Sequence, residues 1–335
     1  MEKRTRTLLL LLALLLTTPA YSRSAQASST QTPAPIPAAQ TARNAKPAAR
    51  DQTDKAGKNG DEPRRYETVP FESRLVGAPL PYNIILPADY NRGPSKRRRY
   101  PVLYLLHGLG GSANDWVSSR ARLADYAAQY PFIVVVPEGR DGWYTDGVVP
   151  NERFESYFVE ELIGDVDRRF RTIASREGRA VAGLSMGGYG SLKFGLKHPE
   201  LFAFAASMSG ALAAPSWTPD QRIPDFVRPS VLRVYGDAGS DVRRDNDIYK
   251  LVRELTPERA KALPFLYLDC GTEDFLITNS RDFSALLIEK KIPHEFRELP
   301  GTHSWPYWDR QVQEVLKLAA QKLAPARDEK AAGQH

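Results

Sequence analysis

The sequence predicts an α/β protein: a mostly parallel central sheet with helices on both faces and a cap segment over one edge. Three observations predict it. Short continuous apolar runs, such as Val102–Leu106 and Phe132–Val136, read as strands buried on both faces. They alternate with stretches of helical spacing, as in Ser156–Phe170, where Phe158, Leu162, Ile163, Val166 and Phe170 share a face. Finally, Gly183-Leu184-Ser185-Met186-Gly187 stands between an apolar run and a helical start. That is the setting of a sharp strand–turn–helix elbow carrying one exposed serine.

The chain opens with Lys3, Arg4 and Arg6, then the uninterrupted Leu/Ala run Leu8–Leu16, then Ala25-Gln26-Ala27, with Ala20-Tyr21-Ser22 as a second cleavage site. This order predicts a secretory signal peptide over 1–27 and hence export, periplasmic or extracellular. The apolar core is too short to remain as a membrane span. Residues 28–65, rich in Ala, Pro, Thr, Gln and Lys, hold too little apolar surface to order themselves and read as a flexible linker. The domain proper is predicted over 66–325, with 326–335 as a flexible tail.

Within that domain, Tyr66–Ser73 and Leu80–Leu86 read as an opening pair of strands. Arg120–Gln129 reads as a helix between the strands Val102–Leu106 and Phe132–Val136. After the elbow come strands at Phe202–Met208, Phe265–Leu268 and His294–Leu299, and helices at Ser280–Lys290 and Arg310–Leu323. The segment Ala211–Thr256 is too long for an ordinary connection and reads as a cap over the carboxyl edge of the sheet.

The formal charge of +6 is misleading as a whole-chain value. The leader contributes +3 and residues 28–65 another +3, so the domain itself is neutral. This argues against a nucleic-acid-binding function. Lys96–Arg99 reads as a solvated loop. The single cysteine, Cys270, excludes an intramolecular disulfide and, following an apolar strand, reads as buried and inert.

A serine hydroxyl is a weak nucleophile until a base takes its proton. Of five histidines, His303 is placed best, in the loop Gly301-Thr302-His303-Ser304-Trp305 after the last strand. His107 reads as ordering its own loop, and His198 and His294 as structural. An acid must fix the histidine's tautomer. Asp274 is the candidate, past the end of the Phe265–Leu268 strand, with Glu273 and Asp269 as neighbouring alternatives. The chain order Ser185, Asp274, His303 is that of the α/β-hydrolase fold. Acyl transfer also needs donors for a developing oxyanion. The backbone N–H groups of Met186, at the start of the elbow helix, and Leu109, in His107-Gly108-Leu109-Gly110-Gly111, are the candidates.

Together with Trp143-Tyr144-Thr145-Asp146 and Thr302-His303-Ser304-Trp305-Pro306-Tyr307-Trp308, these stretches resemble the esterase D family of α/β hydrolases over roughly 66–323. That family includes S-formylglutathione hydrolases, acyl, feruloyl and acetylxylan esterases, and secreted mycolyltransferases. The resemblance implies Ser185, Asp274 and His303 as the triad and Leu109 and Met186 as the oxyanion donors. It implies Trp143 and Tyr144 beside the substrate, a small-molecule or glycan-linked ester, and neither a metal nor an organic cofactor. The leader and linker depart from the cytosolic S-formylglutathione hydrolases. Few large aliphatic residues in Ala211–Thr256 argue against a long lipid channel, and so for hydrolysis rather than mycolyl-type transfer.

Overall fold

Among the described residues, eight strands form the main sheet: β1 (Glu67–Val69), β2 (Tyr82–Ile85), β3 (Val102–Leu106), β4 (Ile133–Val136), β5 (Arg179–Leu184), β6 (Phe204–Met208), β7 (Phe265–Gly271) and β8 (His294–Leu299). Their order across the sheet is β1-β2-β4-β3-β5-β6-β7-β8. Only β2 runs against the rest: it pairs antiparallel with β1 and β4. From β4 to β8 every pairing is parallel, with registers such as Leu106↔Gly183, Leu184↔Met208 and Gly271↔Leu299. The computed structural model of the chain describes residues 65–218 and 224–328. The expected signal peptide and almost all of the expected linker lie outside the described residues. Among the described residues no helix is long and apolar enough to cross a membrane.

The period-2 geometry of a strand explains why apolar runs were needed here. Val102, Tyr104 and Leu106 face one core, with Phe158, Leu162, Val166, Leu192, Phe194 and Phe283. Leu103 and Leu105 face the other, with Leu123, Tyr126, Val312, Val315 and Leu316. One face is therefore covered by the segment Phe154–Arg169, the elbow helix Met186–Lys197 and the helix Ile277–Glu289. The other is covered by Leu123–Ala127 and Trp305–Lys322. Phe154–Arg169 is not uniform, since Tyr157–Leu162 is wound as a π-helix.

Several expected boundaries move. Tyr66–Ser73 is not one strand: Pro70 has no N–H for a ladder, and after it Glu72–Ser73 pairs instead with Ala78–Pro79. The last helix starts at Trp305 rather than Arg310, because Pro306 in its first turn favours a helix start. Strand β7 runs to Gly271, so Asp269 and Cys270 lie inside the sheet. Two residues of the expected flexible tail, Arg327–Asp328, pair with Arg98–Arg99, so the basic run is only partly solvated. The cap segment carries the helices Arg228–Tyr235, Asp241–Asn246 and Ile248–Arg253.

Candidate active site

The carboxyl ends of β3, β5, β7 and β8 converge on one cavity, the place where open α/β sheets bind ligands. Ser185 follows β5 directly, at φ 53°, ψ −115°. A non-glycine residue held there is strained. Its N–H donates to the Met208 carbonyl at 2.9 Å, and its own carbonyl accepts from Tyr189 at 3.0 Å and Ala211 at 3.1 Å. The flanking glycines are required by space. A Cβ on Gly183 would lie 2.5 Å from the Gly187 backbone, and one on Gly187 would lie 2.7 Å from the carbonyl oxygens of Leu106 and His107.

Ser185, His303 and Asp274 form one hydrogen-bonded line. The His303 Nε2 lies 3.0 Å from Ser185 Oγ, and its Nδ1 lies 2.9 Å from Asp274 Oδ2 and 3.2 Å from Oδ1. A carboxylate can only accept, so Nδ1 carries the proton and Nε2 offers its lone pair to the serine hydroxyl. The ring is held between Phe275 and Trp308, at centroid distances of 4.8 and 4.9 Å. Asp274 is buried. Burial alone would raise its pKa, but His303, the Leu276 N–H at 2.8 Å and the neighbouring Ser209 hydroxyl outweigh burial and hold it below the ordinary value.

The two alternative acids are engaged elsewhere. Glu273 accepts from the Gly301 N–H at 2.6 Å and so clasps the histidine loop without touching the ring. Asp269 accepts from the Tyr307 hydroxyl at 3.0 Å, deep in the core. The two loops meet at Gly271, where a Cβ would strike the Gly301 carbonyl. Cys270 is fully buried, and burial pushes its thiol up to about 12, as its inert reading requires.

Leu109 lines the cavity together with Ser185 and His303, and Met186 opens the helix that follows the serine. Among the described residues nothing bonds the N–H of either, so both are free to donate. His107 orders the loop as expected. Its Nδ1–H donates to the Gly108 carbonyl at 2.8 Å, while Nε2 accepts from the Gly139 N–H at 2.9 Å. His198 and His294 bond to Glu155 and Ser284 at 3.0 and 2.8 Å, away from the cavity.

Trp143 and Tyr144 part company. Both have positive φ, 52° and 50°. Trp143 lines the cavity and donates through Nε1 to Ser230 Oγ at 3.0 Å. Tyr144 is buried behind the His107–Gly111 loop, where its hydroxyl donates to the His107 carbonyl at 3.1 Å. It supports the loop and does not line the cavity. The Tyr144 carbonyl in turn accepts from Lys193 Nζ at 2.6 Å. The cavity holds about 240 Å³. Its walls include residues that no motif pointed to: Trp217 and Phe226 from the cap, and Asp115 and Arg120 after the His107–Gly111 loop. Among the described residues no group of three or more His, Cys, Asp or Glu is arranged to hold a metal ion.

The chain matches the esterase family model over residues 73–318. It is 31% identical over 262 residues to an acetyl esterase of Caldicellulosiruptor saccharolyticus, covering 74% of this chain and 96% of that protein. It is 33% identical over 271 residues to an esterase of Mycobacterium tuberculosis, covering 73% of this chain but only 57% of that longer protein. A ferulic acid esterase of known structure superposes with a TM-score of 0.65 at 26% identity, over 77% of this chain and 98% of that one.

Proposed function

The chain belongs to the esterase family of α/β hydrolases, and on that footing we propose that it is an exported serine esterase acting on short or aromatic acyl esters. The observation that carries the serine mechanism is the line Asp274–His303–Ser185 ending on a strained, cavity-facing serine. Ser185 Oγ attacks the ester carbonyl carbon as Nε2 of His303 takes its proton, and the imidazolium is balanced by Asp274. The resulting oxyanion accepts from the N–H groups of Leu109 and Met186. Each such donor is typically worth about 10²–10³ in kcat. Collapse breaks the ester C–O bond, and Nε2 returns the proton to the departing alcohol. A water, deprotonated by the same nitrogen, then attacks the acyl-enzyme and releases the acid.

Cavity size favours a small acyl group. At about 240 Å³ it falls below the range of roughly 300–1,000 Å³ usual for drug-sized ligands. Trp143, Trp217 and Phe226 suit an acetyl or a single aromatic acyl better than a long lipid chain. The names of the relatives, acetyl esterase and ferulic acid esterase, support the same choice. Export rests on the leader and its small-residue cleavage sites.

The test is a panel of p-nitrophenyl esters of rising chain length plus a feruloyl ester, run beside Ser185→Ala and with a sugar alcohol as competing acceptor. Short and feruloyl esters should turn over best, free acid should outpace acylated sugar, and Ser185→Ala should lose activity by orders of magnitude. Equal turnover by Ser185→Ala would sink the serine mechanism, and preferential sugar acylation would make the protein a transferase. Protein recovered outside the cell should begin after Ala27 or Ser22. Material still starting at Met1 would refute cleavage.

A further inference from the structure

The walls of the cavity differ in chemistry. Trp143 and Trp217 meet edge to face at 6.0 Å and bring aromatic surface from the cap side. Asp115 and Arg120 bring charge. The Asp115 carboxylate lies against Gly111 of the oxyanion loop, where a Cβ would collide with its Oδ2. It is half-buried, and burial raises its pKa, with His107, Arg120 and the Ser112 backbone opposing only in part. Among the described residues neither Asp115 nor Arg120 forms an ion pair, with each other or with any other group. A partly desolvated carboxylate that its neighbours offset only in part is stabilised further by a ligand that donates to it.

Their position relative to His303 decides which part of an ester they would meet. Trp116, next to Asp115, packs edge-on against Trp305 at 5.3 Å. Trp305 packs on Trp308 at 5.5 Å, and Trp308 on His303 at 4.9 Å. The Arg122 N–H also donates to Asp309 at 2.9 Å. The segment carrying Asp115 and Arg120 is thus docked on the helix that flanks His303. The alcohol leaves on the histidine side, because Nε2 must reach its oxygen to protonate it.

We propose that Asp115 and Arg120 form the subsite for the alcohol part of the ester and select an alcohol carrying further hydroxyl groups, such as a sugar unit. Asp115 accepts hydrogen bonds from neighbouring hydroxyls, and Arg120 donates to hydroxyl or ring oxygens. An alcohol without hydroxyls gives the half-buried Asp115 carboxylate no donor and Arg120 no acceptor, which penalises it against one that supplies both.

The proposal rests on the serine esterase reading, and the experiment separates the two. The kcat/KM for a mono-acetylated methyl pyranoside is compared with that for cyclohexyl acetate, which has the same acyl group and a similar ring without hydroxyls. Wild type should prefer the sugar ester. Asp115→Asn and Arg120→Ala should each reduce that preference about tenfold, mainly through KM on the sugar ester, as expected for a lost hydrogen bond to a charged group. Arg120 is exposed, so its variant carries little folding risk, and melting curves check both. If wild type hydrolyses both esters but the preference is absent, or survives in both variants, the subsite is wrong. If wild type hydrolyses neither, the esterase reading falls and the subsite with it.

Discussion

Asp274 holds His303 Nδ1 at 2.9 Å while Glu273, one residue earlier, bonds the Gly301 backbone and not the ring. The two carboxylates differ in what they touch, and their variants should differ accordingly. Asp274→Asn loses the charge that fixes the ring tautomer, so kcat should fall on the order of 10⁴. Glu273→Gln should stay within a few-fold of wild type. Steady-state turnover of one short ester by both variants checks this, and near-normal turnover of Asp274→Asn would move the acid elsewhere. Ser185, His303 and Asp274 were legible because each sits where a strand ends, and strand ends are readable from apolar runs. The spatial split between Trp143 and Tyr144 was not. Adjacent residues at positive φ send their side chains in directions that residue type does not encode. Asp115 and Arg120 were invisible for a related reason. They matter through the docking of Trp116 on Trp305, a contact between stretches nearly two hundred positions apart in the chain.

The elbow helix Met186–Lys197 carries a fully buried ammonium, Lys193. It donates to Glu155 at 2.8 Å, Thr145 at 2.9 Å and the Tyr144 carbonyl at 2.6 Å. The helix thereby grips both the Phe154–Arg169 segment and the strained turn that aims Trp143 into the cavity. Glu155 also receives Lys197 at 2.8 Å and His198 at 3.0 Å. Burial pulls Lys193 down to about 8, with Glu155 opposing. Burial would raise Glu155, yet its cationic partners hold it well below the usual carboxylate range. The cluster is therefore asymmetric. Glu155→Gln strands a buried ammonium and should cost about 3–5 kcal/mol. Lys193→Met leaves Glu155 two partners and should cost clearly less, and the double variant should recover part of the Glu155→Gln loss. Urea unfolding of the three variants measures the order, and a larger loss for Lys193→Met would contradict it. A lysine amid Gly190-Ser191-Leu192 and Phe194-Gly195-Leu196 was the visible signal of this cluster, though its partners were not. The central strands were legible, because burial on both faces leaves continuous apolar runs. Helix starts were less so: the Trp305 start depends on Pro306, and the Arg327–Asp328 pairing depends on backbone groups that every residue carries.

At the scale of the molecule, the parallel sheet places one acid where water cannot reach it. Asp269 lies within β7, fully buried, between Met208 on β6 and Arg297 on β8. Tyr307 donates to its Oδ1, while its Oδ2 has no partner of good geometry. Burial raises its pKa to about 7, with the Tyr307 and Tyr267 hydroxyls opposing. The neutral acid is thus the form the fold prefers. In the unfolded chain the same group ionises near about 3.9. Below that pH it is protonated in both states, and its contribution to stability is fully present. As pH rises from about 4 towards 7 the unfolded state releases the proton first. Stability then falls, by at most about 1.4 kcal/mol per pH unit, and flattens once the folded group also ionises. Asp269→Asn removes this titration. Its oxygen can still accept from Tyr307, and its amide can donate to the Tyr267 hydroxyl beside it, which lacks a partner of good geometry. Subtracting the variant's stability from the wild type's at each pH cancels the remaining titrating groups. The difference should favour wild type most near pH 4, decline through pH 7 and stay level above it. A flat difference curve, or one rising with pH, would mean that Asp269 is ionised in the folded core.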